Sequence, residues 1–152
     1  MNIRTCGLNI LKDRIEYAVV EWENNHPIII SNGTIYNKKI GFNLFKITKN
    51  IVKSFKVDFT AVDVGLYNSK ENIDYIRNFK NIAIIKGMHQ VDTFNEILRK
   101  SVLKRIDKET IPYYLVSFKV ARHNLVEYNR VDIPVNDIMS ICYMAKEIKG
   151  II

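Results

Sequence analysis

The sequence predicts an α/β fold in which helices flank a mixed five-stranded sheet, with a three-strand antiparallel meander followed by parallel strands. Near the start of the chain, apolar and polar residues alternate with the two-residue period of β-strands. A helical periodicity follows, beginning at Phe42. Beyond it, Asp58–Gly65 is a short, almost continuous apolar run closed by glycine, which is typical of a strand buried on both faces.

The first elements form the meander. Ile3–Ile10 reads as a strand, Leu11–Arg14 as a polar turn, and Ile15–Trp22 as the returning strand of a hairpin. Ile28–Tyr36 is a third β-rich run, in which Asn32-Gly33 indicates a bulge or a tight bend. Three antiparallel strands therefore open the chain.

A crossover unit comes next. Phe42–Lys56 carries apolar residues at helical spacing, with lysines on the other face. The buried strand Asp58–Gly65 has the pattern of a strand in a parallel arrangement, so strand, helix and strand form a crossover unit.

The second half combines helical and strand patterns. Helical spacing marks Asn72–Phe79 and Val91–Ile106, whereas Asn81–Lys86 fits a short strand or a helix. Aromatic and β-branched residues predict a strand over Tyr113–Val120, and Ala121–Tyr128 fits a helix. A final helix begins after the N-cap candidate Asn136 and ends near Gly150; its apolar stripe is Ile138, Ile141, Cys142, Ala145 and Ile148.

Composition indicates a single globular domain over residues 1–152. Hydrophobic residues make up 47% of the chain and charged residues 26%, fractions that exclude a disordered or collagen-like protein. No apolar run approaches the roughly 18–20 residues of a membrane span. The polar start Met1–Arg4 also lacks the apolar stretch of a signal peptide. We therefore expect a cytoplasmic protein with no membrane partner.

The two cysteines and the net charge limit the chemistry further. Cys6 and Cys142 have no second cysteine or histidine at ligand spacing, so we expect two core thiols rather than a disulfide or a zinc site. The 23 basic residues against 16 acidic ones give a net charge of +7, which favours an anionic partner. A coding sequence rich in A and T would explain the abundant lysine and asparagine equally well.

Three short motifs carry a resemblance to a known family. They are Cys6–Ile10 on the first strand, Ala61–Gly65 on the buried strand, and Val135–Ser140 at the start of the last helix. In position and element order they resemble the three segments that carry the metal-binding carboxylates, here called acidic stations, in the ribonuclease H-like superfamily and within it in the RuvC-like nucleases. The chain is also similar to a group of short bacterial proteins with a Cys-Gly first strand and a Lys-Val-Asp segment, here Lys56–Asp58.

The resemblance implies a metal site. Carboxylates from such stations hold two divalent ions, Mg²⁺ or Mn²⁺, that activate water for phosphodiester cleavage. Asp63 and Asp137 stand at two stations as the implied catalytic residues and metal ligands, while Asn9 stands where the family has a carboxylate. An amide oxygen can bind Mg²⁺ but adds no charge, so we expect weakened binding.

Other carboxylates could compensate for Asn9, and the pattern prefers none of them; these are Asp13, Glu16, Asp58 and Asp74. Each station also has an ordinary structural interpretation. Asn9 fits a polar strand end, Asp63 an ion pair, and Asp137 a first-turn acid that interacts favourably with the helix dipole.

Basic residues indicate where nucleic acid would bind. His123 follows a predicted strand, and it lies with the basic residues Lys119 and Arg122, which could face phosphate groups. A solvated surface explains such residues as well.

Two functions remain open from the sequence. The first is a RuvC-like nucleic-acid enzyme, which by resemblance would be a homodimer. The second is a catalytically inactive module of the same fold that binds nucleic acid or a protein partner. An actin-like nucleotide-dependent enzyme is disfavoured, because Cys6-Gly7 and Val64-Gly65-Leu66 lack the spaced glycines of a phosphate loop.

Overall fold

The computed structural model describes residues 2–11, 13–24, 26–36, 44–63, 79–87, 98–104, 110–128 and 137–151. Within these ranges the strands are β1 (Ile3–Ile10), β2 (Arg14–Glu23), β3 (His26–Tyr36), β4 (Phe59–Asp63), β5 (Ile82–Gly87), β6 (Leu98–Lys104) and β7 (Thr110–Val116). The helices are α1 (Leu44–Phe55), α2 (Phe118–Tyr128) and α3 (Asp137–Ile151).

All these strands join one mixed sheet of seven strands in the order β3-β2-β1-β4-β5-β7-β6. The β1–β2 and β2–β3 pairs are antiparallel, which confirms the predicted meander. The β1–β4 pair is parallel, so α1 crosses over from β3 to the centre of the sheet as expected. The mixed α/β class is confirmed, with two more strands than the five predicted.

The two additional strands, β5 and β6, lie in the second half of the chain, where the sequence pattern distinguishes helix from strand less clearly. Ile82–Gly87 pairs parallel with β4, so the strand alternative holds there. Leu98–Lys104 falls within the predicted helix Val91–Ile106, but it pairs antiparallel with β7. Leu98 and Val102 are four residues apart, a spacing that fits a helix, and strand pairing in the tertiary structure overrides it. The predicted helix Asn72–Phe79 lies outside the described residues except for Phe79.

Two predicted boundaries change in the structure. The strand expected over Tyr113–Val120 ends at Val116, and α2 begins at Phe118. Ser117 caps this helix: its Oγ accepts a hydrogen bond from Val120 N (3.3 Å) and its carbonyl oxygen accepts one from Ala121 N (3.0 Å). The irregularity in β3 lies at Ile30, because Val19 pairs with Ser31 and Val20 with Ile29, and not at the expected Asn32-Gly33. The N-cap candidate Asn136 lies outside the described residues.

The sheet separates two apolar cores. On one face, Ile51 of α1 packs with β-strand residues that include Leu8, Val62 and Ile84. On the other face, α2 and α3 pack against residues that include Trp22 and Ala61. Residues of β1 alternate between the two faces of the sheet, which places this strand between the two cores.

Close contact between α3 and β1 depends on Gly7. A Cβ atom at this position would lie 2.9 Å from the backbone nitrogen of Cys142. Thr5 adds a hydrogen bond from its Oγ1 to the Cys142 carbonyl oxygen (2.9 Å), and it accepts another from Trp22 Nε1 (2.8 Å). These buried contacts fix the position of the last helix on the sheet.

None of the described helices is both long and apolar enough to cross a membrane.

Candidate metal centre

Three polar side chains lie together on one face of the sheet, where β1 and β4 end. Asn9 of β1 pairs with Asp63 of the parallel strand β4 and with Glu16 of the antiparallel strand β2. Because paired residues on adjacent strands project from the same face of a sheet, all three side chains share one face. It is the face that α3 covers, since Ala18 and Ala61, two residues from Glu16 and Asp63, belong to the core beneath that helix.

Asn9 is oriented by Glu16. The Asn9 Nδ2 donates a hydrogen bond to Glu16 Oε1 over 3.2 Å, and both residues are half-buried. The amide is planar, so its Oδ1 is directed away from Glu16. β1 lies between β2 and β4, so Asn9 lies between Glu16 and Asp63 on this face. The amide oxygen is thus the Asn9 atom available to a cation.

Asp137 lies at the same end of the sheet but has another partner. Tyr143 contacts the Trp22 ring, with centroids 6.0 Å apart, and Trp22 pairs with Ile3 at the start of β1. Helix α3 therefore runs antiparallel to β1, and its first residue, Asp137, lies toward the Asn9 end. There Asp137 Oδ1 accepts a hydrogen bond from Arg122 Nη1 over 3.4 Å, and its side chain is 71% exposed.

The predicted stations are therefore brought together only in part. Asn9 and Asp63 are directly paired, whereas Asp137 forms an ion pair with a residue expected to bind phosphate. In the described part of the chain, no three acidic, thiol or imidazole groups are close enough to hold one metal ion.

Of the other carboxylates considered, Glu16 is the one beside Asn9. Asp13 forms an exposed ion pair with Arg14 over 2.9 Å. Asp58 lies at the opposite end of β4, where its Oδ2 accepts a hydrogen bond from Arg4 N over 2.8 Å. Asp74 lies outside the described residues. The signal that singles out Glu16 is the hairpin register, which follows once Ile10 is paired with Ile15.

The donor atoms at this site match a hard divalent cation. Two carboxylates and an amide oxygen are the oxygen ligands that Mg²⁺ and Mn²⁺ prefer. With two negative charges rather than three, the set suits one ion better than a pair of ions.

The residues predicted to contact nucleic acid lie on α2. Positions 119, 122 and 123 have the i, i+3, i+4 spacing of one helical face. Arg122 and His123 are exposed, and Arg122 is the residue paired with Asp137. Arg122 and His123 thus form an exposed pair on α2, and Asp137 partly neutralises the charge of Arg122.

Comparison with known proteins gives little further guidance. No family model and no curated protein matches the chain. A Ppx/GppA family member from Aquifex aeolicus superposes with a TM-score of 0.38 at 9% identity, covering 81% of this chain and 54% of that one. An exopolyphosphatase from Cytophaga hutchinsonii gives 0.37 at 11% identity, covering 54% and 34%. A PPX-GPPA enzyme from Aquifex aeolicus gives 0.37 at 7% identity, covering 84% and 64%.

This chain therefore spans 34% to 64% of the length of those three proteins. They are not RuvC-like nucleases, which the sequence motifs resemble. The similarities are too low to assign a family or an activity to the chain.

Proposed function

We propose that this chain is a RuvC-like, ribonuclease H-fold protein that hydrolyses phosphodiester bonds in nucleic acid, with one divalent metal ion bound at Asn9, Glu16 and Asp63. The observation that carries the proposal is the pairing of Asn9 with a carboxylate-bearing residue on each side, on one face of the sheet. Asn9 stands where the family has a carboxylate, and Glu16 supplies the negative charge that Asn9 lacks.

Each residue has a separate task in this proposal. The carboxylates of Glu16 and Asp63 hold the cation, and the Asn9–Glu16 hydrogen bond directs the amide oxygen toward it. A bound Mg²⁺ or Mn²⁺ would lower the pKa of a coordinated water and stabilise charge on the phosphate. Asp137, once separated from Arg122, would add a third carboxylate.

A second function is favoured by the Arg122–Asp137 pair. Asp137 is already paired with Arg122, and Asn9 is an amide where the family has a carboxylate. Both features fit a module that binds without catalysis. In that case Lys119, Arg122 and His123 would contact phosphate groups of nucleic acid, or α2 would contact a protein partner.

Calorimetric titration with Mn²⁺ tests the metal site without a choice of substrate. We expect wild-type protein to bind Mn²⁺, and Asp63→Asn and Glu16→Gln each to weaken binding by about tenfold or more, because each removes one negative ligand. Asn9→Asp should tighten binding. Asp13→Asn is the matched control, since it changes an exposed hairpin carboxylate that is paired with Arg14. Equal binding in wild type and Asp63→Asn, or none in either, would contradict the metal site.

Activity then separates the two functions. Cleavage of DNA or RNA that needs Mn²⁺ and is lost in Asp63→Asn supports the enzyme. Binding that persists in Asp63→Asn with EDTA, without cleavage by wild type, supports the module. Such binding should weaken steeply as salt is raised.

A further inference from the structure

A cavity of about 410 Å³ lies between α1 and the amino ends of β4 and β5. It is on the sheet face that α1 covers, because Thr60 alternates with Phe59 and Ala61 of the opposite core. The candidate metal centre is on the other face and at the carboxyl end of β4. The cavity is therefore separate from the site discussed above.

Positive charge predominates around this cavity. Lys49 and Lys53 from α1 and Lys80 from the segment before β5 line it. The acidic residue in the lining is Asp58, whose Oδ2 already accepts a hydrogen bond from Arg4 N over 2.8 Å. Three lysines against one carboxylate favour an anionic ligand.

Two buried hydroxyl groups also line the cavity. Thr48 on α1 and Thr60 on β4 are each 2% exposed. Among the residues that the structure describes, no side-chain hydrogen bond is formed by either hydroxyl. Buried hydroxyl groups are normally paired, so these two are suited to donate hydrogen bonds to a ligand in the cavity.

The remaining lining is apolar and the space is large. Val52, Phe79 and Ile82 provide an apolar wall. Sites for small organic molecules run from about 300 to 1,000 Å³, whereas a water molecule takes about 30 Å³ in the liquid. An inorganic anion of a few water volumes would leave most of the cavity unfilled.

We propose that this cavity binds a phosphorylated small molecule of nucleotide size. Its phosphate lies against the Lys53 and Lys80 ammonium groups and accepts hydrogen bonds from the Thr48 and Thr60 hydroxyls. Its organic part packs on Val52 and Phe79. The proposal is independent of the metal centre.

Calorimetric titration of the full chain tests the proposal, with AMP, adenosine and inorganic phosphate as probes. We expect AMP to bind. Adenosine and phosphate should each bind at least about tenfold more weakly, because adenosine lacks the phosphate group and inorganic phosphate lacks the organic part. Lys53→Gln combined with Lys80→Gln should weaken AMP binding by about tenfold or more. Both lysines are exposed, so this variant should keep its fold.

Two further variants sharpen the test. Thr48→Val combined with Thr60→Val keeps the side-chain shape and removes both hydroxyls, so it should also weaken AMP binding. Lys86→Gln is the matched control, because it removes the same charge from an exposed position of β5 outside the cavity. Absence of AMP binding to wild type, or unchanged binding in the double lysine variant, would overturn the proposal. If inorganic phosphate bound as tightly as AMP, the proposed packing of an organic group on Val52 and Phe79 would be overturned.

Discussion

Gly7 determines how closely the last helix approaches the first strand, β1. A Cβ atom there would lie 2.9 Å from Cys142 N and 3.0 Å from Ile141 Cγ2. We expect Gly7→Ala to lower the free energy of unfolding by about 1–3 kcal/mol, because backbone atoms of α3 would have to move. Urea unfolding monitored by circular dichroism measures this change.

Gly150→Ala is the matched control, since a Cβ at Gly150 would meet nothing within 4 Å. It should leave the free energy of unfolding unchanged or raise it by up to about 1 kcal/mol, because alanine is the better helix former. Similar losses in both variants would show that steric contact at Gly7 is not the cause.

Thr5 links two elements through its buried hydroxyl group. It accepts a hydrogen bond from Trp22 Nε1 and donates one to the Cys142 carbonyl oxygen. Thr5→Val should lower the free energy of unfolding by about 1–3 kcal/mol, because the indole N–H would remain buried without a partner. Thr5→Ser, which keeps the hydroxyl, should lose less. A Val variant as stable as the Ser variant would contradict this role, and thermal or urea unfolding of both provides the comparison.

The buried thiols make stability depend on pH in the alkaline range. Burial raises the pKa of Cys142 from 9.0 to about 12. The folded state therefore favours the neutral thiol, so this contribution to stability is complete below pH 9.0 and is lost as pH rises toward about 12. Between about pH 8 and 10, the free energy of unfolding of wild type should fall further than that of Cys142→Ala, by on the order of 1 kcal/mol.

Denaturant unfolding at both pH values measures the difference. Equal pH dependence in wild type and Cys142→Ala would show that the thiol does not contribute. Burial also raises the pKa of Cys6 well above its ordinary value. The Cys142→Ala variant should therefore keep part of the pH dependence of stability through Cys6.

At the candidate site, the sequence predicts those residues whose placement depends on strand order alone. Asn9 and Asp63 are paired because parallel neighbours end at the same edge of a sheet. Glu16 is one of four carboxylates that could compensate for Asn9, and the hairpin register distinguishes it from the others. The Arg122–Asp137 pair joins two helices whose relative position depends on packing, which the periodicity of either helix does not determine.

Among the elements, the carboxyl end of α1 shows how local geometry anchors a helix. Lys56 has a φ of 52°, and Val57 N donates a hydrogen bond to the Val52 carbonyl oxygen over 3.0 Å, which is the Schellman arrangement. Arg4 Nη1 also donates to the Phe55 carbonyl oxygen over 2.9 Å. The first strand thus holds the end of the helix.

Lys56→Gly should stabilise the protein by about 0.5–1 kcal/mol, because glycine adopts a positive φ without steric cost. Lys49→Gly within the same helix should destabilise it by a similar amount, since glycine is a poor helix former. Thermal unfolding of the two variants should therefore shift in opposite directions. Shifts of the same sign would contradict the backbone argument.

Elements with an unambiguous period were predictable, and those with a mixed signal were not. The alternation in β1 and β2 and the apolar stripe of α1 identified these elements correctly. Leu98–Lys104 contains spacing that fits either structure, and its antiparallel partner β7 decides in favour of a strand. Val120 continues the β-branched and aromatic composition of β7, but the Ser117 cap starts a helix before it.

For the whole molecule, a single domain over residues 1–152 stays a prediction that unfolding can test. β1 is at the third position of a sheet that includes strands from both halves of the sequence, and both cores contact it. We therefore expect one cooperative transition, with Trp22 fluorescence and far-ultraviolet circular dichroism changing at the same urea concentration. Two separate transitions would show that the halves unfold independently.

The hydrogen bond between Thr5 and Cys142 spans 137 positions of sequence. Ribosomes add about 5–20 residues per second, so a nascent chain carries its first strand for roughly 7–27 s before the covering helix is made. During that interval the α3-facing side of β1 and β2, including the Trp22 side chain, lacks its final cover. The newly synthesised protein should therefore be a substrate for chaperones that bind exposed apolar strands, and this dependence should end when α3 emerges.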